Sequence, residues 1–182
     1  MPPDNLQLTH HEVLGQRLRR RFPIRIVAQD LEGPTNVGGL FRIADALGVE
    51  HLYLAGSSAR PPNPKLRRAS RSTEKHVPYS WAADGLALAR ELKGSGCLLV
   101  SLEVTSSSAD IRELGWNGRQ PLCLIVGSEN TGVAQALLDV SDHTVHIPML
   151  GNNSSMNVAT ACGIAVFELT RGLLPSPVTG AS

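Results

Sequence analysis

The sequence predicts an α/β fold in which a parallel sheet is flanked by helices. Short, almost continuously apolar segments alternate along the chain with segments of helical periodicity. Strands of that kind are typical of a sheet that is buried on both faces. Loops rich in Gly, Asn and Ser follow several of the apolar segments, at the places where parallel sheets bind their ligands.

Five segments have the composition of buried strands, namely residues 24–28, 51–55, 97–104, 121–126 and 143–147. A shorter extended segment is expected at residues 76–79. Helical periodicity covers residues 6–20, 37–47, 81–93, 109–114, 131–139 and 155–173. Strands that alternate with helices in this way indicate βαβ units, whose strands run parallel.

Length and composition indicate a single domain. The chain has 182 residues, of which 42% are hydrophobic, which is enough for one core and short for two. No apolar run approaches the roughly 20 residues that span a bilayer, and the first residues lack the pattern of a secretory signal. Cys97, Cys123 and Cys162 are scattered through apolar segments. This pattern predicts buried thiols, a cytoplasmic location and no metal site.

Positive charge is concentrated in the first part of the chain. Residues 1–75 hold 12 of the 17 Lys and Arg residues but only 7 of the 16 Asp and Glu residues. One cluster comprises Arg17, Arg19, Arg20, Arg21 and Arg25, and a second, in a Pro-rich segment expected to be a mobile loop, comprises Arg60, Lys65, Arg67, Arg68, Arg71 and Lys75. Arginine binds phosphate with paired hydrogen bonds, so both clusters are candidate nucleic-acid-binding surfaces. The alternative is two solvated surface segments.

The segment LEGPTNVGGLFRIADALG, residues 31–48, suggests the turn of a nucleotide-binding unit. It follows an apolar strand, but its glycines lack the spacing of a dinucleotide-binding turn. Asn36 is predicted to cap the helix that follows, in which apolar residues recur at helical spacing. Arg42 falls outside that apolar stripe, so we expect it to face a ligand at the carboxyl edge of the sheet.

Two later loops have the same position and character. Residues 122–133, LCLIVGSENTGV, are an apolar strand followed by a polar loop that contains Glu129. Residues 146–161, HIPMLGNNSSMNVATA, are a strand end, a loop of small polar residues with Ser155 and Asn157, and the start of an apolar helix. Because the carboxyl ends of parallel strands share one edge, the three loops are expected to form one site.

Together the three segments resemble the three sequence motifs of the SpoU/TrmH family of RNA ribose 2′-O-methyltransferases. The first motif is NVGGLFR, from Asn36 to Arg42, and the second is GSENTG, from Gly127 to Gly132. The third combines IPM at residues 147–149 with SMNV at residues 155–158. The resemblance extends over residues 24–172. It departs from the family pattern at Met156, where leucine is commoner, and in the additional pair Asn152 and Asn153.

The resemblance implies a fold, a cofactor and partners that periodicity alone does not predict. In this family a deep trefoil knot closes the C-terminal part of the parallel sheet, and the proteins act as homodimers on RNA. The methyl donor, S-adenosylmethionine, binds in the knot. The positions expected to contact it here are Leu102, Gly127, Ile147, Met149 and Met156. On this basis we expect a basic helical extension (1–22), a methyltransferase domain (23–174) and a disordered tail (175–182).

The resemblance also implies how the motif residues divide the reaction. Methyl transfer to a ribose 2′-hydroxyl needs alignment and the removal of a proton, but no metal. Arg42 either takes that proton or holds the phosphate beside the target ribose, and the second role is favoured because guanidinium stays protonated in proteins. Asn36 and Asn157 are expected to orient Arg42 or the ribose. Glu129 is expected to order its loop or to form a hydrogen bond with Asn36. Ser155 completes the predicted catalytic set.

Two other classes of function fit parts of the sequence. A non-catalytic RNA-binding protein could keep the same fold, but it would have no use for all five motif residues. A nucleotide-dependent oxidoreductase is disfavoured because the chain lacks the G-x-G-x-x-G turn and an acidic ribose ligand. Transfer RNA and ribosomal RNA both stay open as the substrate. The predicted RNA-binding residues are Arg19, Arg20, Arg21 and the six members of the second cluster.

Overall fold

A seven-stranded parallel sheet forms the centre of the structure. The computed structural model describes residues 20–153 and 155–173. The strands are β1 (Phe22–Gln29), β2 (Val49–Ala55), β3 (Tyr79–Ala82), β4 (Leu98–Leu102), β5 (Ala109–Asp110), β6 (Leu122–Val126) and β7 (His143–His146). Their order across the sheet is β3-β2-β1-β6-β4-β7-β5, and every neighbouring pair is parallel. The predicted parallel α/β architecture is confirmed.

Helices cover both faces of this sheet. They are α1 (Pro34–Ala46), α2 (Pro64–Ser70), α3 (Gly85–Gly94), α4 (Gln135–Val140) and α5 (Val158–Thr170), with 3-10 turns at Thr73–Lys75 and Ile111–Glu113. Each of the five predicted strand segments corresponds to an observed strand. The helix expected at residues 6–20, apart from its last residue, and the tail expected at residues 175–182 lie outside the described residues.

The sheet separates two apolar layers. On one face, Ile26 and Leu124 are fully buried in the cluster that α1 and α5 complete. On the other, Cys123 and Ile125 are fully buried in the cluster that α3 and α4 complete. Successive residues of a strand point to opposite faces. Burial on both faces therefore explains why these strands are continuously apolar.

The three cysteines belong to this interior. All are buried and unpaired by disulfides. Burial in apolar surroundings disfavours a thiolate and raises the pKa of Cys162 to about 12. The prediction that the three thiols are buried is confirmed, although the Cys97 sulfur also accepts a hydrogen bond of 3.2 Å from Arg25.

Three predicted helices differ from the structure, and one of them, α4, begins only at Gln135 instead of residue 131. α3 begins only at Gly85, because residues 79–82 pair with β2 as the edge strand, and the Asp84 side chain caps the helix. The predicted helix at residues 109–114 is wrong. Its first two residues pair with β7, and the next three form a single 3-10 turn. So short a segment cannot offset the cost of nucleating an α-helix.

Two further corrections concern the first motif and the second basic cluster. α1 begins a turn earlier than predicted, with Pro34 in its first turn and Gly33 at its N-cap, so Asn36 is not a helix cap.

The second basic cluster is not a mobile loop, because much of it forms α2. There the Asn63 side chain accepts hydrogen bonds from the backbone N–H groups of Lys65 and Leu66, at 3.0 and 3.1 Å.

A glycine sets the distance between α1 and α2. A Cβ atom built at Gly38 would lie 2.6 Å from the Cβ of Ala69 and 2.9 Å from both the Leu66 carbonyl oxygen and the Ser70 nitrogen. Two of these three atoms belong to the backbone of α2, so they cannot rotate away. The close contact fixes α2 against the helix that carries Asn36 and Arg42.

We predict that Gly38→Ala destabilises the fold by about 1–3 kcal/mol, because overpacking outweighs the helix propensity that alanine adds. Gly94→Ala is the matched control: it also lies in a helix, and a Cβ there meets no atom within 4 Å. Urea unfolding should show Gly94→Ala at or above wild-type stability. A Gly38→Ala protein as stable as the wild type would contradict the packing argument.

Candidate active site

The three predicted loops meet at one edge of the sheet. β1, β6, β4 and β7 are adjacent, and all end there. Near their ends, Ala28 pairs with Val126, and Leu102 pairs with Val145. The loops that follow β1, β6 and β7 therefore begin side by side, as the sequence predicts.

Asn36 connects the other two loops. Its Nδ2 donates to Oε1 of Glu129, and its Oδ1 accepts a hydrogen bond of 2.9 Å from Nδ2 of Asn157. The partners lie 93 and 121 residues away along the chain. The predicted bond between Glu129 and Asn36 is confirmed. The structure thus brings three of the five candidate catalytic residues into one hydrogen-bonded chain.

Small residues allow this approach. A Cβ atom at Gly33 would lie only 2.5 Å from Oε1 of Glu129, so a larger residue would displace the carboxylate. One turn beyond Asn36, a Cβ atom at Gly39 would lie 3.0 Å from the Cβ of Ala159, where α1 meets α5. These contacts hold α1 close to both loops.

Asn157 has a second role as the N-cap of α5. Its Oδ1 accepts hydrogen bonds from the backbone N–H groups of Ala159 and Thr160, both at 3.1 Å. Capping fixes the orientation of the side chain, so that Nδ2 points at Asn36. The cap and the bridge therefore use different atoms of one amide.

Arg42 and Ser155 stand apart from this hydrogen-bonded chain. Arg42 is exposed on α1, six residues after Asn36, or roughly 9 Å along the helix axis. Its guanidinium makes no hydrogen bond or ion pair with another residue in the described part of the chain. Ser155 is also exposed, and the residue before it lies outside the described residues. Both side chains are accessible to a substrate.

The loop after β6 is closed on itself and tied to β4. Ser128 and Gly132 exchange backbone hydrogen bonds of 3.1 and 2.9 Å, and a side chain at Gly127 would overlap the Gly132 carbonyl. The Glu103 carboxylate accepts a bond of 2.9 Å from the Val133 N–H. It also lies where a side chain at Gly132 would be. Sequence reasoning missed Glu103, since a single acidic residue after a strand carries no distinctive signal.

Four of the five positions expected to contact the cofactor lie at the ends of β4, β6 and β7. Leu102 ends β4, Gly127 follows β6, and Ile147 and Met149 follow β7. Gly127 is buried and the other three are half-buried, whereas Met156 is exposed. Because β6, β4 and β7 are neighbours, the first four positions lie along adjacent strand ends. Gly127 contributes backbone groups with no side chain, and the other three positions contribute apolar side chains.

The loop after β1 is also fixed to the loop after β2. Asp30 accepts a hydrogen bond of 2.8 Å from the Ser57 N–H. This bond, together with one from the Gln29 side chain, holds the pKa of Asp30 below its usual value. Ser58 Oγ accepts from the Leu31 N–H and donates to the Ala28 carbonyl, both at 2.8 Å. The strand ends beside the site are therefore rigid.

The two basic clusters differ in their contacts. Arg21 donates to the Val49 and His76 carbonyls at 3.1 and 3.0 Å, and Arg20 donates to the Leu173 carbonyl at 3.3 Å. Arg25 is ion-paired with Glu50 at 2.9 Å. Arg19 lies outside the described residues. The second cluster, from Arg60 to Lys75, is exposed, and none of its charged groups forms an ion pair with a described residue.

The described residues contain neither a helix that could span a membrane nor a cluster of metal-ligating side chains. No helix there is long and apolar enough to cross a membrane. Nor does that part of the chain bring three or more His, Cys, Asp or Glu side chains together as a metal site.

Comparison with known proteins identifies the motifs. Residues 23–167 match the model of the SpoU rRNA Methylase family. A 23S rRNA (uridine(2479)-2′-O)-methyltransferase of Streptomyces viridochromogenes is 33% identical, with 83% of this chain and 55% of the relative covered. The tRNA (guanosine(18)-2′-O)-methyltransferase of Escherichia coli K12 is 27% identical, with 90% and 70% covered.

A solved structure has the same fold. The AdoMet-bound rRNA methyltransferase from Sinorhizobium meliloti superposes with a TM-score of 0.78 at 27% identity, over 84% of this chain and 57% of that one. The chain thus spans little more than half the length of two of these three proteins. Because the family model matches most of its residues, the chain belongs to the SpoU rRNA Methylase family.

Proposed function

We propose that this protein transfers a methyl group from S-adenosylmethionine to a ribose 2′-hydroxyl of transfer or ribosomal RNA. The observation that carries the proposal is the hydrogen-bonded chain Glu129–Asn36–Asn157. It joins one residue from each of the three motifs at one edge of the sheet. A non-catalytic RNA-binding protein would have no need to hold these groups in a fixed arrangement. The named relatives, which methylate a guanosine of tRNA and a uridine of 23S rRNA, support the same chemistry.

The residues at the strand ends fit the proposed cofactor. Glycine at both ends lets the loop from Gly127 to Gly132 close on itself and against Glu103, and the main-chain groups of this closed loop would hold the adenosine. Leu102, Ile147 and Met149 supply half-buried apolar surface beside it. When bound, S-adenosylmethionine supplies a methyl group already activated by its sulfonium centre. Glu103 keeps the loop in place through the Val133 N–H.

In the proposed mechanism, the protein aligns the 2′-oxygen with the methyl carbon and stabilises the charge that develops on that oxygen. The 2′-proton passes to solvent with the help of the substrate phosphate that Arg42 holds. The Glu129–Asn36–Asn157 chain fixes α1 relative to the cofactor loops. Arg42, exposed on the same helix, holds the phosphate next to the target ribose and stabilises the 2′-oxygen. Proton abstraction by Arg42 itself is the alternative, disfavoured because guanidinium keeps its proton in proteins. Ser155, in the exposed segment before α5, is the second candidate residue, after Arg42, that is accessible to the substrate.

We also propose that the C-terminal part is tied in the trefoil knot of the family. The strand order supports it, because β6 lies between β1 and β4, and β7 lies between β4 and β5. After β7 the chain returns to pack α5 on α1, and the Leu173 side chain contacts Gly118. The methyltransferase domain would occupy residues 23–174.

A homodimer is the third part of the proposal. α5 presents Ile164 and Phe167 one turn apart on its outer side, 40% and 56% exposed. Asn157 caps the same helix, so a second copy seated on this face would lie against the site. A partner would also shield Arg42 and Ser155 from water, which strengthens electrostatic interactions with the substrate.

The second basic cluster is the proposed contact with RNA. Its six exposed cations make no ion pair within the described residues, so they are available to phosphate groups. We assign Arg20 and Arg21 a smaller part, since backbone carbonyls already engage their guanidinium groups. Such an RNA substrate is consistent with a cytoplasmic location.

We predict that Arg42→Ala lowers the rate of methyl transfer about 100- to 1000-fold, because a charge that stabilises the transition state is lost. Transfer of labelled methyl groups from S-adenosylmethionine to purified transfer RNA and ribosomal RNA measures the rate. Cofactor affinity, measured by calorimetry, should not change, since Arg42 forms no hydrogen bond or ion pair with the described residues of the loops that follow β6 and β7. A wild-type protein that methylates neither RNA would refute the proposed function.

Arg42→Lys distinguishes the two roles of Arg42. Lysine keeps the charge but loses the planar fork, so a phosphate clamp predicts a large loss of rate that persists as the pH is raised. Strong residual activity at moderately raised pH would instead favour the role of proton acceptor.

We predict that Asn157→Asp keeps the stability of the fold but lowers methyl transfer at least about tenfold. Aspartate caps a helix as well as asparagine, yet it has no N–H to donate to Asn36. If the Asn36 amide rotated to donate a hydrogen bond to the new carboxylate, its oxygen would face the Glu129 carboxylate and the bond to Glu129 would be lost. Asn157→Ala is the comparison variant and should lose about 1 kcal/mol as well as activity. A wild-type rate in Asn157→Asp would show that the bridge has no part in the reaction.

We predict that Phe167→Glu makes the protein monomeric in analytical ultracentrifugation and abolishes methyl transfer. A symmetric interface would bury two uncompensated carboxylates, which is costly. The fold should persist, because Phe167 is already more than half exposed. Ala87→Glu, on α3 at the opposite face of the sheet, is the control and should remain dimeric. A dimeric Phe167→Glu protein would place the interface elsewhere.

A further inference from the structure

The edge strand β3 exposes two aromatic side chains that the proposed reaction does not use. Tyr79 is 39% exposed and Trp81 is 46% exposed. They are two residues apart on a strand, so they point to the same face of the sheet. Large aromatic groups on an edge strand are unusual on a surface without a partner, because edges are commonly protected by charge.

Arg60 and the backbone hold the indole of Trp81 in place. The guanidinium carbon of Arg60 lies 4.2 Å from the centroid of the Trp81 ring, in cation–π contact. The indole Nε1 donates a hydrogen bond of 3.1 Å to the Gly56 carbonyl. The ring is therefore oriented before any ligand arrives, while almost half of the side chain remains accessible.

The two exposed aromatic residues of β3 lie next to the second basic cluster and to α1. Arg60 is itself a member of that cluster and lies three residues before Asn63, the cap of α2. The Tyr79 ring meets the Phe41 ring edge-on, with centroids 5.3 Å apart, and Phe41 precedes Arg42 on α1. The exposed aromatic pair, α2 and α1 therefore share one side of the sheet.

We propose that Trp81 and Arg60 form a stacking platform for an unpaired base of the RNA substrate. The proposal rests on the proposed function. A partly exposed indole that is stacked with an arginine and followed by a cluster of cations is suited to single-stranded nucleic acid, in which bases stack and cations track the phosphates. A duplex hides its base faces, so it would contact only the cations. A protein partner is less suited, because the six cations of the second basic cluster, of which Arg60 is one, outnumber the carboxylates of Asp30, Glu74 and Asp84 on the neighbouring segments.

The experiment compares Trp81→Ala, Trp81→Phe and Trp116→Phe. The probes are a labelled oligoadenylate of about 12 nucleotides and its duplex with oligouridylate, measured by fluorescence anisotropy over a range of salt concentrations. Trp81→Ala should bind the single strand about five- to a hundredfold more weakly. Trp81→Phe should stay within about threefold of the wild type, since it keeps a π-face. Trp116→Phe, the control at the other tryptophan, should bind normally and show quenching of the remaining indole.

Salt dependence separates stacking from charge. Trp81→Ala should leave the slope of log affinity against log salt unchanged, because no phosphate contact is lost. Neutralising Arg67, Arg68 and Arg71 should reduce that slope by about 2, at roughly 0.7 per phosphate contact on a single strand. Duplex binding should weaken in the triple variant and not in Trp81→Ala.

The outcomes distinguish the platform from the function on which it rests. If the wild type methylates RNA and Trp81→Ala binds the single strand normally, the platform is refuted, a protein becomes the better occupant, and the proposed function stands. Equal loss of single-strand and duplex binding in Trp81→Ala would also refute base stacking. If the wild type neither methylates RNA nor binds the oligoadenylate, the proposed function fails and the platform fails with it.

Discussion

The hydrogen bonds of one amide, that of Asn36, hold the candidate site together. A primary amide offers a donor at one end and an acceptor at the other, and Asn36 uses the donor on Glu129 and the acceptor on Asn157. An aspartate at this position would repel the glutamate, and an aliphatic residue would leave both partners unsatisfied. The bridge exists only because β1, β6 and α5 are already side by side. The strand order is therefore the condition for the site.

Close backbone approach is the second requirement, and it explains the small residues of the motifs. Gly33 leaves room for the Glu129 carboxylate, and Gly39 lets α1 approach Ala159. Gly132 has a φ of +67°, a left-handed conformation that most residues avoid, and it also faces Glu103. Some motif residues are therefore glycines because a larger side chain would not fit, and not because they take part in the reaction. A larger residue at Gly33, Gly39 or Gly132 would displace Glu129, α5 or Glu103, respectively.

The sequence predicts the strands well because a strand buried on both faces has a continuous apolar composition. It also predicts that Asn36, Glu129 and Asn157 converge, because their loops all follow parallel strands. The position of Asn36 within α1 was predicted wrongly, since Pro34 starts the helix earlier than the apolar periodicity suggests. α2 was missed because prolines suggest a loop, whereas here Pro64 opens a helix capped by Asn63. Glu103 and the pairing of β5 depend on contacts between distant segments, which no local pattern encodes.

The site divides into a rigid side and an accessible side, and this division bears on its mechanism. Glu129, Asn36 and Asn157 hold one another in place, so their side chains are oriented before a substrate arrives. Arg42 and the second basic cluster have no ion-pair partner within the described residues, and each exposed cation gains more from a phosphate than from water. RNA binding would therefore supply the negative charge that this surface lacks and place a phosphate beside Arg42. On this view Arg42 need not give up a proton, because the incoming phosphate is both its ligand and the nearest group able to accept one.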